Sequence, residues 1–263
     1  MRDIDFYGLK LTSFDNVELI EYSIQIINSA SSKVLYGYSF TIIPLFGEYP
    51  SLYSYANNSD IIVCDGAVFY RFVKVLGYNL KSNLSIPEMV RLHIKIANTQ
   101  KYSIYLLGAT KQINKLARDK LKEHFPNIIV NGRDGYFKEE KQDEIMDSIK
   151  IIQPNIILIG ITTPKKEELA ILLREKGCGN IIIPCGGMID VLAGKTKQTP
   201  KLIKRLGLAT FYRLVQEPNR LMTRYLKAII QIFLKIIPRI IYAHLTKNDR
   251  FFIPDLYNKE RCK

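Results

Sequence analysis

The stretch IIVCDG, residues 61–66, ends an apolar run on a carboxylate, Asp65, followed by Gly66. An ionised carboxylate at a strand end, close to helix N-termini, can serve as a general base that takes the proton of a hydroxyl nucleophile. It can equally cap the helix that follows, and the local sequence leaves both roles open. Three other stretches have the same texture of apolar run and then small or polar residues: LGATK (107–111), GITTPKKE (160–167) and PCGGMID (184–190). Each offers unpaired backbone N–H groups at a helix start, a ready site for phosphate. One such loop carries little, since every helix needs a start. Four on one sheet edge favour an anionic ligand such as a nucleotide.

The common nucleotide and hydrolase signatures are absent. No GxxxxGK[ST] occurs, no GxGxxG follows the first strand, and no GxSxG occurs, which disfavours a P-loop kinase, an ordinary dinucleotide dehydrogenase and an α/β-hydrolase. Asp3-Ile4-Asp5 has the DxD form used by metal-dependent sugar transferases. It lies far from the expected strand ends and is read as structural. Cys64, Cys178, Cys185 and Cys262 show no CxxC pair and no His at zinc spacing, so neither a metal site nor a disulfide framework is expected.

The elements that must position these loops follow from periodicity. YSFTII (38–43), DIIVC (60–64), YSIYLLG (102–108), NIIVNG (127–132), NIILIG (155–160) and NIIIPCG (180–186) read as strands: short, Ile-rich and bounded by Gly, Pro or Asn. Several lack in/out alternation, as strands covered on both faces do. Helical patterns fall at 67–77, 86–100, 111–124, 138–152 and 164–176, and the first residues predict a hairpin leading into a helix that starts near Ser13 or Asp15. The alternation predicts an α/β fold, a Rossmann-like mostly parallel sheet with helices on both faces. Ligands of such sheets bind at the carboxyl ends of the strands. The expected division is a catalytic domain over 1–199 and a basic helical appendage over 200–263.

The charge places that boundary. Of the net +13, residues 195–250 hold thirteen Lys and Arg against Glu217 and Asp249, whereas 1–194 are nearly balanced. Arg220, Arg224, Lys227, Gln231, Lys235 and Arg239 recur every three or four residues, which sets them on one stripe of an otherwise apolar helix. A helix packed on the body with a solvated face would fit. The wide apolar arc and cationic stripe favour a helix lying on an anionic membrane surface over 220–245. No secretory leader pattern and no run of about 18 uncharged apolar residues is found, so the expectation is a cytoplasmic protein, peripheral on the inner face of the membrane. A nucleic-acid-binding α/β protein is the competing reading of the basic charge. It is disfavoured because these cations line an apolar helix.

Several of these stretches together resemble the bacterial WecG/TagA/CpsF glycosyltransferases. CDG matches the family's (P)DG, and GITTPKKE, CGGMIDVLAGKTKQTP and GLATFYRLVQEPNRLMTRYL resemble its GxGxPKQE, GVGGxFDxxAGxxxRAP and GLEWLYRLxxEPxRLxRRYL, in order, over residues 40–230. The resemblance implies a metal-free, cofactor-free inverting transfer from a UDP-sugar donor to a polyprenyl-diphosphate-linked saccharide acceptor. It implies Asp65 as the base, with Thr41 beside it. The donor and its nucleotide fall to Gly66, Gly108, Thr162, Pro164, Glu167, Gly186, Gly187 and Asp190, and the diphosphate to Arg213, Arg220 and Arg224. The chain departs from the pattern where TxN becomes Thr41-Ile42-Ile43, where ERxxGxD becomes SNLSIPEM (82–89), where PKQE carries Lys166 for Gln, and where EW becomes Ala209-Thr210. Changed polar contacts alter sugar specificity strongly, so the resemblance transfers the reaction class and leaves the donor sugar open. A non-catalytic nucleotide-sugar-binding subunit is the other reading it allows, and a homo-oligomer is compatible with either.

Overall fold

The chain opens with an antiparallel hairpin, β1 (Arg2–Phe6) and β2 (Leu9–Ser13), paired Arg2 to Ser13 through Phe6 to Leu9. Its two-residue turn, Tyr7-Gly8, has φ of 51° and 89°, the left-handed pair that matches strand twist. Asp5 Oδ1 accepts the Gly8 N–H at 2.8 Å and Asp3 Oδ1 accepts the Thr12 hydroxyl at 2.8 Å, so the DxD acids brace this hairpin. Asp15 and Glu18 form a capping box at the start of α1 (Asn16–Asn28), where the helix is expected. The computed structural model describes residues 1–216, 218–248 and 250–257; the side chains of Lys201, Thr210, Asn219, Arg220, Leu221 and Arg224 lie outside the description.

The main sheet has six parallel strands, β3 (Lys33–Tyr38), β4 (Ile61–Cys64), β5 (Ser103–Gly108), β6 (Ile129–Arg133), β7 (Ile156–Gly160) and β8 (Ile181–Pro184), in the order β4-β3-β8-β7-β5-β6. The helices between and after them are α2 (Ser51–Asn57), α3 (Ala67–Val75), α4 (Ile86–Gln100), α5 (Lys111–His124), α6 (Gln142–Ile152), α7 (Lys165–Glu175) and α8 (Met188–Leu192). Alternate strand residues bury on opposite faces. Leu35, Ile61, Leu106, Leu158 and Ile183 pack with α1, α4, α5 and α8. Leu107, Ile157, Ile159 and Ile182 pack with α6 and α7. Burial on both sides explains the continuous apolar runs.

One strand differs from expectation. The strand read at 38–43 lies at 33–38, and Ile43–Phe46 form a buried 3-10 turn. Ile42 and Ile43 are apolar because they are buried in the same core as Phe6 and Leu52, and they lie in no strand ladder. The strand read at 127–132 runs from Ile129 to Arg133.

The basic segment is helical as expected: α9 (Lys201–Arg205), α10 (Ala209–Gln216), α11 (Pro218–Gln231), a π turn over Ile232–Ile236, and α12 (Ile237–Leu245). Pro238 supplies no N–H, and the ladder widens just before it. Tyr225–Leu245 is long and apolar enough, by length and composition, to cross a membrane, with mean hydropathy 1.5, although Lys227, Lys235 and Arg239 interrupt it. Its inner face, Ala228, Ile232, Ile236 and Ile240, joins the core of the hairpin, α2 and α3. The cationic stripe is partly drawn inward too: Lys235 Nζ donates to the Leu256 carbonyl at 2.6 Å and sits 4.2 Å from the centre of the Tyr257 ring.

Candidate active site

β4 delivers Asp65 to the sheet edge. The Asp65 N–H donates to the Tyr38 carbonyl at 2.7 Å, extending the β3–β4 pairing by one residue. Gly66, at φ 100°, then turns the chain into α3 as its cap, with no side chain capping that helix. Asp65 therefore does not cap the helix that follows it. Its Oδ1 accepts the Ile86 N–H at 3.0 Å, the first residue of α4. That helix starts with a capping box, Ser85 and Glu88, the S-x-x-E signature written in SNLSIPEM. Gly37 makes the contact achievable: a Cβ there would stand 2.8 Å from Ile86 Cγ1 and 3.0 Å from Asp65 Cβ. Sequence reasoning missed Gly37, and its signal was a glycine inside a strand, which marks close backbone approach.

Asp65 lies in a cleft of about 650 Å³ over the carboxyl ends of β4, β3, β8 and β7, closed on its far side by α9 and α10. Of the expected residues, Thr41, Asp65, Gly66, Thr162, Gly186, Gly187 and Arg213 line it. Thr41 Oγ1 shares a hydrogen bond with Ser39 Oγ at 3.0 Å. Glu167 is buried behind the wall, 2% exposed. Its Oε1 accepts the Tyr36 hydroxyl and the Thr163 hydroxyl, each at 3.1 Å, and pairs closely with the Lys166 ammonium; its Oε2 is buried with no hydrogen-bond partner. Pro164 caps α7 behind the Thr162-Thr163 turn.

The structure does not bring every expected residue to the cleft lining. Gly108 faces Gly160, where a Cβ would run into the β7 backbone, so its smallness serves the packing of β5 on β7. Asp190 pairs with Lys195 at 3.1 Å on α8. The backbones of Arg220 and Arg224 belong to α11, and their side chains are outside the described ones. Conversely, Ser85, Glu88, Lys166, Lys204 and Arg205 line the cleft without having been singled out as ligands. Nothing local in KLIKRLG marks Lys204; only the docking of α9 over the sheet edge does.

The electrostatics are those of a desolvated carboxylate among cations. Burial lifts the Asp65 carboxyl above its ordinary value, against the opposing pull of the Ile86 N–H, Arg213 and Lys166. A base with a raised pKa is better matched to neutral pH than an ordinary aspartate. Lys204 is lowered, by burial first and then by Arg91. The Cys185 thiol at the cleft wall is pushed up to about 12 by burial and stays a neutral, unreactive group. Cys64, Cys178 and Cys185 are free and buried, and Cys262 lies outside the described residues. Among the described residues, no group of three or more His, Cys, Asp or Glu is placed to hold a metal ion.

Known proteins are similar to this chain in sequence. Proteins of Staphylococcus aureus strains MW2 and NCTC 8325, each described as N-acetylglucosaminyldiphosphoundecaprenol N-acetyl-beta-D-mannosaminyltransferase, are 27% identical to it over 165 residues, 63% of this chain and 65% of theirs. A protein of strain MRSA252 with the same description is 26% identical over the same span. The chain thus spans a little under two thirds of the length of these relatives. The model of one family, glycosyl transferase WecG/TagA/CpsF, matches residues 4–244, which take in the hairpin, the sheet, the cleft and nearly all of the basic helices. With Asp65 at the cleft floor and the matched segments around it, the chain belongs to the WecG/TagA/CpsF family of glycosyl transferases.

Proposed function

We propose that the protein is an inverting glycosyltransferase that moves a sugar from a UDP-sugar to a polyprenyl-diphosphate-linked saccharide at the inner face of the cell membrane. The observation that carries this reading is Asp65: a desolvated carboxylate, anchored by one N–H, on the floor of a cleft that also holds Lys166 and Arg213. One oxygen is fixed by Ile86, which leaves the other to accept the proton of an acceptor hydroxyl as that oxygen attacks C1 of the donor. Family membership supports the reaction class, and the relatives' description supports a lipid-diphosphate saccharide as acceptor. The donor sugar is a hexose or an N-acetylhexosamine. Lys166 and Ala209, where the family pattern has other residues, line the cleft and set the preference among them.

The outer face of the π turn and the helices on either side of it supports membrane association. Phe233, Leu234 and Leu245 are 63%, 75% and 76% exposed, and Lys227 and Arg239 are exposed beside them. Apolar residues edged by cations suit a surface of anionic lipids.

The test is UDP release from a panel of UDP-sugars, with an undecaprenyl-diphosphate-N-acetylglucosamine analogue as acceptor. Release from one donor that depends on the lipid-linked acceptor is the expected result. No acceptor-dependent release from any donor, by protein shown to be folded, overturns the reading.

A further inference from the structure

The segment SNLSIPEM, residues 82–89, departs from the family pattern ahead of α4, and it is also a wall of the cleft. Asn83, Ser85, Ile86, Pro87 and Glu88 all line it. A wall built from a divergent segment is where a chain's own substrate preference is written. Where such a wall carries polar groups, a substrate that leaves them unpaired is rejected strongly.

Two carboxylates are mounted on this wall in the same way. Asp65 Oδ1 accepts the Ile86 N–H at 3.0 Å, and its other oxygen serves the acceptor hydroxyl under the glycosyltransferase reading, on which this inference rests. Glu88 Oε2 accepts the Ser85 N–H at 3.0 Å and also the Ser85 hydroxyl. Among the described residues nothing donates a hydrogen bond to Glu88 Oε1. Lys204 Nζ stands 3.9 Å from that oxygen, beyond hydrogen-bond length, and the Glu88 side chain is 40% exposed. Each acid thus has one oxygen tied to the start of α4 and one untied.

The helix cap accounts for the tied oxygen of Glu88 only. A capping box needs an acceptor at its third position, and glutamine supplies one as glutamate does. The full charge therefore answers to something besides the cap. It has a cost, because burial raises the Asp65 carboxyl and Glu88 adds to the rise. Two like charges in one cleft repel, and a ligand that donates a hydrogen bond to both relieves the repulsion.

A sugar ring presents hydroxyls on adjacent carbons. Asp65 and Glu88 are fixed through Ile86 and Ser85, neighbours at one helix start, so a ring whose nucleophilic hydroxyl reaches Asp65 brings the next hydroxyl toward Glu88. Asp65 takes a proton, whereas Glu88 takes none and keeps its charge throughout. We propose that Glu88 selects the acceptor sugar: its Oε1 accepts a hydrogen bond from the hydroxyl adjacent to the one that Asp65 deprotonates, so the acceptor carries two adjacent free hydroxyls at the point of transfer.

The experiment measures kcat/KM for wild type, Glu88→Gln and Glu88→Ala, with the UDP-sugar that wild type accepts. The acceptors are an undecaprenyl-diphosphate-N-acetylglucosamine analogue and a set of analogues each lacking one sugar hydroxyl. The analogue without the nucleophile is inert. Loss of the adjacent hydroxyl leaves a charged acceptor unpaired, and wild type should lose about 10- to 100-fold on that analogue. In Glu88→Ala the same penalty should shrink to about twofold or less, as for groups that do not interact. Glu88→Gln keeps an oxygen for the cap, should melt as wild type does, and should lose most of the penalty because its free group is uncharged. An equal penalty in all three proteins, no penalty for any adjacent hydroxyl in wild type, or complete loss of turnover in Glu88→Gln at an unchanged melting temperature overturns the assignment while the glycosyltransferase reading stands. A folded wild type with no acceptor-dependent turnover on the intact acceptor overturns both.

Discussion

Asp65 is placed at the expense of the fold that holds it. Its carboxyl pKa is raised, chiefly by burial, so between an ordinary value of about 3.9 and the raised one the folded chain holds a proton that the unfolded chain has released. Stability contributed by this group is greatest at low pH and falls as pH rises through that window. Asp65→Asn keeps an oxygen for the Ile86 N–H and removes the charge. It should melt at or above the wild-type temperature near pH 7 while turnover falls by about 10²-fold or more. The acid limb of the wild-type kcat/KM profile should lie above the ordinary aspartate range. Near-normal turnover in Asp65→Asn reduces the residue to an anchor for α4. His93 behaves in the opposite sense. Buried between Met89 O at 2.8 Å and Ser23 Oγ at 3.0 Å, it is lowered from 6.5 to about 4 by desolvation. Below about pH 6.5 the unfolded chain takes up a proton that the folded chain refuses, so this contribution to stability is lost as pH falls from 6.5 through about 4. Melting temperature should drop across that interval, and His93→Gln should flatten the drop; an unflattened drop assigns it to other groups.

Most elements were readable from period and boundary residues because each carries its own signal: the Asp15 and Ser85 capping boxes start α1 and α4, and the Ile runs of β7 and β8 are buried on both faces. β3 was misplaced since KVLYGY, with two tyrosines and a glycine, looks less like a core strand than YSFTII does. Tertiary packing makes Tyr36 and Tyr38 core residues, 2% and 0% exposed, and puts Ile42 and Ile43 in a buried turn. The part of the site carried by strand ends was visible for the same reason, whereas Lys204 and Gly37 depend on which elements meet. The basic helix shows the same limit. Periodicity divides the helix into a cationic stripe and one wide apolar arc and favours a membrane surface for both, yet the helix has three faces: one in the core, one cationic and one apolar and exposed. Truncation from residue 227 would strip Ala228, Ile232, Ile236 and Ile240 from the core, so surface substitution is the cleaner test. Phe233→Ser, Leu234→Ser and Leu245→Ser together should abolish flotation with anionic vesicles and change the melting temperature little. Full flotation by the triple variant would remove this face from any membrane role, and binding to DNA without affinity for vesicles would return the basic charge to nucleic acid.

The hairpin and residues 251–257 meet on the face of the sheet opposite α1 and α4. The Ile253 N–H donates to the Tyr7 carbonyl at 2.9 Å, the Tyr7 and Phe251 rings lie 5.5 Å apart, and Gly8 leaves room for the Phe252 ring that a Cβ would strike. Phe6 of the hairpin, Phe69 of α3, Ile236 of the π turn and Ile253 of the tail share one core cluster. The helices that bring Lys204 and Arg213 over Asp65 are continuous in chain with this clasp, so the cleft is set by the docking of residues 200–257 and cannot be complete on 1–199 alone. That argues for joint unfolding of the two expected domains. Ile236, 0% exposed, tests it: Ile236→Ala removes a buried side chain far from the cleft and should lower stability by about 2–5 kcal/mol. Calorimetry should show one transition in wild type and one, at lower temperature, in the variant, with tyrosine near-UV circular dichroism and far-UV helical signal lost together. If only part of the helical signal melts early and the sheet keeps its wild-type transition, residues 200–257 fold as a separate unit and the cleft is assembled by docking.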